Sequence, residues 1–153
     1  MTAKGQTQIG DPAPVKGAGE IEIGATPKAV WDVLTAIARW PSWNPDVKAV
    51  SVPEVVAEGS QFRWKAGPGT ITSTIRRLDE PRLIEWTGTT FGIKAVHVHT
   101  LEARDGRTLV RTAESYHGLV ARLFRRPLKK TLDEALASGL KHLRIEAERR
   151  AQL

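Results

Sequence analysis

The sequence predicts an α+β domain: a curved antiparallel sheet of about seven strands wrapped around one long C-terminal helix. Three observations predict it. Strand patterns follow one another through the middle of the chain with only turn-length gaps, so neighbouring strands run antiparallel. Asp105-Gly106 stands between the two longest of them, a strong two-residue hairpin signal. Leu128, Leu132, Leu136, Leu140 and Leu143 draw one stripe down the last segment, a helix that must bury that stripe on the sheet.

The elements follow in order. Residues 1–18, rich in Gly, Pro, Lys and Gln, read as a mobile tail, and residues 19–150 as the single domain. Glu20-Ile21-Glu22-Ile23 alternates like a half-buried strand. Thr26-Pro27 opens a short helix with Thr26 as N-cap. Trp40-Pro41-Ser42-Trp43-Asn44-Pro45 is an ordered helical corner, because two tryptophans require burial. Val47 to Val55 reads as a strand, at an edge because it contains Pro53. Gln61–Lys65, Thr70–Ile75 and Leu83–Gly88 continue the sheet, with Phe62 and Trp64 on one face, and Ile84 and Trp86 likewise. Ile93–Glu102 and Thr108–Gly118 form the last hairpin. Pro127 suits the first turn of the final helix. Gly139, in the middle of that helix, costs about 1 kcal/mol relative to Ala and fits equally a close approach to a ligand or backbone and a tolerated flaw.

Composition bounds the function. The chain has 153 residues, 41% hydrophobic and 26% charged, which is enough for one packed core. It has no cysteine, which excludes disulfides, zinc-thiolate sites and cysteine nucleophiles. No apolar run reaches the roughly 20 residues that span a bilayer, and the start lacks a signal-peptide core. A soluble cytoplasmic protein is expected. The net charge of +6 is uneven: from Leu119 onward nine Lys and Arg stand against four Asp and Glu. That patch reads first as a solvated helix face. It leaves room for peripheral contact with a membrane surface, without stable insertion, and no nucleic-acid partner is expected. There is no phosphate loop, nucleophile elbow or dinucleotide fingerprint.

The candidate site comes from the hairpin. With Asp105-Gly106 as the loop, Leu101 faces Val110, His99 faces Thr112, His97 faces Glu114 and Ala95 faces Tyr116. All lie on one face. This is also the face that Phe62, Trp64, Ile84 and Trp86 share with Leu132, Leu136 and Leu140 of the helix. The expectation is an apolar cavity between sheet and helix with one polar end at His97, His99, Thr112, Glu114 and Tyr116. Buried polar groups cost about 1–3 kcal/mol each when unpaired, so these must pair with one another, with water or with a ligand. His117 has the opposite parity and His142 lies at a helix boundary.

Ile21-Glu22-Ile23, Ala25-Thr26-Pro27-Lys28-Ala29-Val30-Trp31-Asp32-Val33-Leu34, the Trp40–Pro45 corner, Leu83-Ile84-Glu85-Trp86, Asp105-Gly106-Arg107-Thr108 and Glu114–Gly118 together resemble the SRPBCC or START-like superfamily, in its polyketide cyclase/dehydrase-like branch. The resemblance covers roughly Gly19 to Arg150. It implies a helix-grip fold with a deep cavity for lipids, polyketides or similar apolar ligands, and no cofactor. Its members include cyclases, aromatases and lipid carriers, with no shared catalytic set to carry over.

Three readings of the polar cluster stand side by side. In the first, His97 and Glu114 are a satisfied pair that also orients the polar group of a bound apolar molecule. In the second they are a general acid–base pair of a cyclase, aromatase or dehydratase. In the third, two histidines and a carboxylate hold a metal, although no metal is expected. A separate alternative makes the protein an interaction module acting through its basic C-terminal helix. The protein is expected as a monomer or homodimer.

Overall fold

The structure, a computed structural model, describes residues 13–153. Seven strands form one antiparallel sheet in the order β1-β7-β6-β5-β4-β3-β2. They are β1 (Val15–Ile23), β2 (Val47–Ser51), β3 (Gln61–Ala66), β4 (Gly69–Asp79), β5 (Leu83–Thr90), β6 (Ile93–Arg104) and β7 (Arg107–His117). α1 (Pro27–Thr35), a 3₁₀ turn (Ile37–Arg39) and α2 (Trp40–Trp43) connect β1 to β2. α3 (Leu119–Leu123) and α4 (Arg125–Ala151) follow β7. This is the helix-grip fold: β1 to β7 curve and α4 lies in the hand. No helix among the described residues is long and apolar enough to cross a membrane, which says nothing of membrane β-barrels.

Local chemistry accounts for most boundaries. Thr26 Oγ1 accepts the Ala29 amide at 3.2 Å, and Pro27 follows in the first turn of α1. The β6–β7 turn puts Asp105 at φ 51° and Gly106 at φ 79°, the two positive values a type I′ hairpin needs. β2 is an edge strand, but it stops at Ser51 rather than Val55. Pro53 lacks the amide that would continue the ladder. The β5–β6 turn at Phe91-Gly92, unsignalled by an Asn-Gly or Asp-Gly pair, also has both residues at positive φ.

The first strand corrects the expected tail. β1 begins at Val15 and pairs Val15 with Tyr116 and Gly17 with Glu114, so residues 15–18 belong to the sheet. Residues 1–12 of that expected tail lie outside the described residues. Gly17 and Gly19 alternate inward and look like a flexible sequence, but they serve close packing. A Cβ on Gly17 would stand 3.0 Å from Leu136 Cδ1 and 3.1 Å from Leu132 Cγ, and one on Gly19 3.2 Å from Leu140 Cδ1. The strand edge is therefore thinned where α4 crosses it. The Gly24 amide donates to Glu148 Oε2 at 2.8 Å, and Lys129 Nζ to the Lys16 carbonyl at 2.7 Å. These bonds tie the helix to both ends of β1.

Gly139 makes no close approach to another part of the chain, the first of its two readings. It lies on the flank of the leucine stripe, between Leu136 and Leu143, and a Cβ built on it meets nothing within 4 Å. Opposite stability changes follow for the two glycine types. Gly17→Leu should lower unfolding free energy by about 1–3 kcal/mol through overpacking. Gly139→Ala should raise it by up to about 1 kcal/mol through helix propensity. Urea denaturation of both variants checks the contrast.

Candidate functional site

The inward face of the sheet is a grid whose rows run across the strands. One row is Ile75, Trp86, His97, Glu114 and Gly17; the next is Ile84, His99, Thr112 and Gly19. A third carries Ser73, Gly88, Ala95, Tyr116 and Val15. The hairpin register read from the Asp-Gly turn is the observed one throughout.

The apolar candidates are packed together. Phe62, Ile84 and Val110 are essentially unexposed, and Trp86 and Leu101 nearly so. Trp40 stands in the space that Phe62, Trp64 and Trp86 were expected to enclose. Its ring lies 5.6, 5.5 and 5.4 Å from theirs, and its indole N–H donates to the Leu34 carbonyl at 2.9 Å. Trp64 donates to Ser73 Oγ at 3.0 Å. This end of the grip is filled by side chains. Leu140 and Leu143 belong to the same cluster, whereas Leu132 and Leu136 pack with Val15, Ala121, Tyr116 and Leu128 in a second one.

His97 and Glu114 sit in the row between those two clusters. His97 Nδ1 is 3.3 Å from Glu114 Oε1, and their side chains keep 14% and 16% of their exposure. His97 Nε2 is 2.8 Å from Thr112 Oγ1. Thr112 has one proton and donates it to the Val98 carbonyl at 3.2 Å, so it accepts from Nε2–H. Proton counting then leaves Nδ1 bare and facing the carboxyl. Burial raises the Glu114 carboxyl to about 8 and, together with neighbouring His99, lowers His97 well below its ordinary value. At neutral pH the contact is therefore a carboxylic acid donating to a neutral imidazole rather than an ion pair.

His99 stacks on Trp86 at 5.3 Å and lies 4.5 Å from the His97 ring. Its Nδ1 is buried without a hydrogen-bond partner, and burial lowers it to about 4. Tyr116 is half-buried beside the second cluster. Burial, and then the neighbouring Glu114, raise its phenol and keep it protonated. Both His97 nitrogens are engaged by Glu114 and Thr112, and no three His, Asp or Glu side chains among the described residues converge on an ion position. His117 bonds Ser115 Oγ at 3.0 Å on the outer face, and His142 Nδ1 lies 2.8 Å from the Ser138 carbonyl within α4.

Trp40 carried no role in the sequence reading beyond needing burial. The corner around it has no periodicity to aim its ring. Gly88 and Ala95 are the other additions: inward, small and beside Tyr116. Open grooves lie outside the grip, one on the outer face over Ala18, Val98 and Ala113, one between the starts of β1 and α4.

Residues 14–148 match the family described as polyketide cyclase / dehydrase and lipid transport. The chain belongs to this family. No curated protein matches it in sequence. Solved structures share its fold at low identity. A hypothetical protein from Helicobacter pylori is 13% identical with a TM-score of 0.76, over 88% of this chain and 89% of that one. An aromatase/cyclase, ZhuI, from Streptomyces sp. R1128 is 17% identical with a TM-score of 0.75, over 88% and 94%. A START superfamily protein from Mycobacterium smegmatis is 16% identical with a TM-score of 0.68, over 90% and 97%. Polyketide cyclase-like family membership thus rests on the sequence match, and the neighbours supply the fold.

The titrations set the pH dependence of stability. Glu114 in the folded chain holds its proton up to about 8, above the unfolded value. The folded state then binds the extra proton, so stability falls as pH rises from the ordinary carboxyl range to about 8. His99 has the opposite sign: folded at about 4, it makes stability rise with pH up to the ordinary imidazole range. Glu114→Gln removes only the first dependence. The stability of this variant relative to the parent should improve steadily from about pH 5 to about pH 8, measured by urea denaturation at several pH values.

Proposed function

We propose that the protein binds an amphipathic small molecule of the lipid or polyketide kind in the grip, with the polar end of the molecule held by Glu114, His97 and Tyr116. One observation carries the reading: a carboxyl and an imidazole nitrogen 3.3 Å apart on the inward face, buried yet not sealed. The small inward Ala95, opposite Tyr116, supports room for the apolar part beside them. Family membership supports an apolar ligand. Glu114, with its proton given to His97, offers its other oxygen as an acceptor to a ligand hydroxyl, and the Tyr116 phenol offers a donor to a carbonyl or hydroxyl oxygen. Both are worth more in this dry setting than in water.

A second reading, cyclisation or dehydration of a polyketide chain, is favoured by the protonation states. Enolisation needs a proton placed on a carbonyl oxygen and another removed from the adjacent carbon. Glu114 supplies the first. The His97 Nδ1 that it releases accepts the second. The products are an enol, a carboxylate and an imidazolium 3.3 Å apart, and return of the imidazolium proton to Glu114 resets the pair. The aromatase/cyclase among the structural neighbours supports this reading by analogy of fold.

Native mass spectrometry of the purified protein, with extraction of what it carries, tests the binding reading. A stoichiometric apolar adduct is expected, weakened about tenfold or more by Glu114→Ala, because removing one partner of a buried pair costs at least about 1.4 kcal/mol. An apo protein that takes up neither fatty acids nor aromatic polyketides would overturn it. His97→Asn that binds a poly-β-ketone normally but cyclises it at the parental rate would remove the enzyme reading alone.

A further inference from the structure

The far end of the grip carries a surface that the ligand reading does not use. α3 exposes Leu119 and Leu123 at 68% and 67%, and Phe124 next to it at 55%. At the same end the β5–β6 turn exposes Phe91 at 68%, on a backbone of φ 47° that few aromatic residues adopt. The two elements form one corner. A Cβ on Gly118 would meet the Gly92 carbonyl at 2.8 Å and one on Gly92 would meet Val120 at 3.3 Å. Ala121, fully buried, anchors α3 from beneath. Leu119, Leu123 and Phe124, with Phe91 lying over Gly69 close by, are thus held largely exposed by a fixed scaffold, where scattered single ones would need no explanation.

The charge along this stretch is mostly basic, with Asp133 and Glu134 following it on α4. Between Leu119 and Thr131 stand Arg122, Arg125, Arg126, Lys129 and Lys130, and no acid. Lys129 bonds Asp133 and the Lys16 carbonyl. The other four form no ion pair among the described residues. Apolar tips next to cations without an ion-pair partner match a bilayer with anionic headgroups: the tips enter the acyl boundary and the cations meet the phosphates. A nucleic acid would use the cations and leave the apolar tips in water.

We infer that this corner, α3 with the β5–β6 turn and the start of α4, docks the protein on an anionic lipid surface. Tyr116 lies directly beneath, in one cluster with Ala121 and Leu128. Docking therefore brings the polar end of the grip to the membrane.

Co-sedimentation of the full chain with phosphatidylcholine vesicles, with and without phosphatidylserine, tests it. Binding is expected to the phosphatidylserine vesicles and to fall steeply with salt. Arg125→Glu with Arg126→Glu should weaken it at least about tenfold, since each cation at the surface contributes enough to make two charge reversals exceed that factor. Leu123→Ser with Phe124→Ser should weaken it comparably. All four sites are exposed, and thermal melting followed by circular dichroism verifies that each variant is folded. Glu114→Gln should bind vesicles like the parent, which separates this surface from the ligand site. Absence of parental binding, equal binding to uncharged vesicles, or full binding by the Leu123/Phe124 variant would overturn the inference. So would tighter binding to a DNA duplex that is indifferent to the apolar substitutions.

Discussion

Two residues at positive φ, Asp105 and Gly106, align the inward face on which the rest of the site depends. Side chains alternate with period two, so a slip of one residue between β6 and β7 would turn every inward residue of one strand outward. The core would lose Leu101 or Val110, and His97 and Glu114 would part. Because β7 also pairs with β1, the same turn sets where Gly17 and Gly19 meet α4. Packing enforces the choice from the other side. The inward glycines accept leucines of α4 at about 3 Å, a fit that the outward Lys16, Ala18 and Glu20 cannot supply. The outward face is stitched by Arg107 to Glu22 and by Arg111 between Glu20 and Glu102. Such exposed pairs contribute little energy each, but they favour the same alternation.

The grip divides into a filled half and a polar half. Trp40 fills the first by coming off α2, opposite the sheet, and meeting Phe62, Trp64 and Trp86 edge-on or tilted. Aromatic rings in these orientations gain contact energy beyond their buried area, so this half is the rigid one. The second half has the small Ala95 and the Glu114–His97–Thr112 chain. Each member of that chain has one proton to give and one acceptor to give it to, down to the Val98 carbonyl. Glu114 is the end of the chain, so in the proposed reading a ligand meets its second oxygen as an acceptor already oriented.

Much of this was legible because it rests on short-range rules. A two-residue turn predicts a register, a leucine every three or four residues predicts a buried helix face, and Thr-Pro predicts a helix start. What escaped depends on tertiary geometry. Glycine at 17 and 19 has the composition of a tail, and only the crossing of α4 makes it a packing surface. Trp40 sits in a corner with no repeat, so its burial was readable but its direction was not. Gly139 suggested a close approach, yet a missing Cβ is equally compatible with empty space. Phe91-Gly92 has no Asn or Asp to mark it, and the exposed aromatic at its tip is unusual only once its backbone angle is known.

The polar row is poor engineering for stability alone. An acid and two imidazoles on the inward face lose hydration that their mutual contacts do not fully return, and His99 Nδ1 receives no contact at all. Well-packed apolar residues of similar volume in such positions are commonly neutral or stabilising. The surrounding rows show that this sheet accommodates them, with Ile75, Ile84, Leu101 and Val110 all buried. Specifying the register needs no such row either, since the turn and the glycines already do that. The cost is thus confined to two adjacent rows, the ones that face the ligand in the proposed reading. Residues kept neutral there at physiological pH are suited to touching oxygen atoms of an apolar molecule without adding a buried charge.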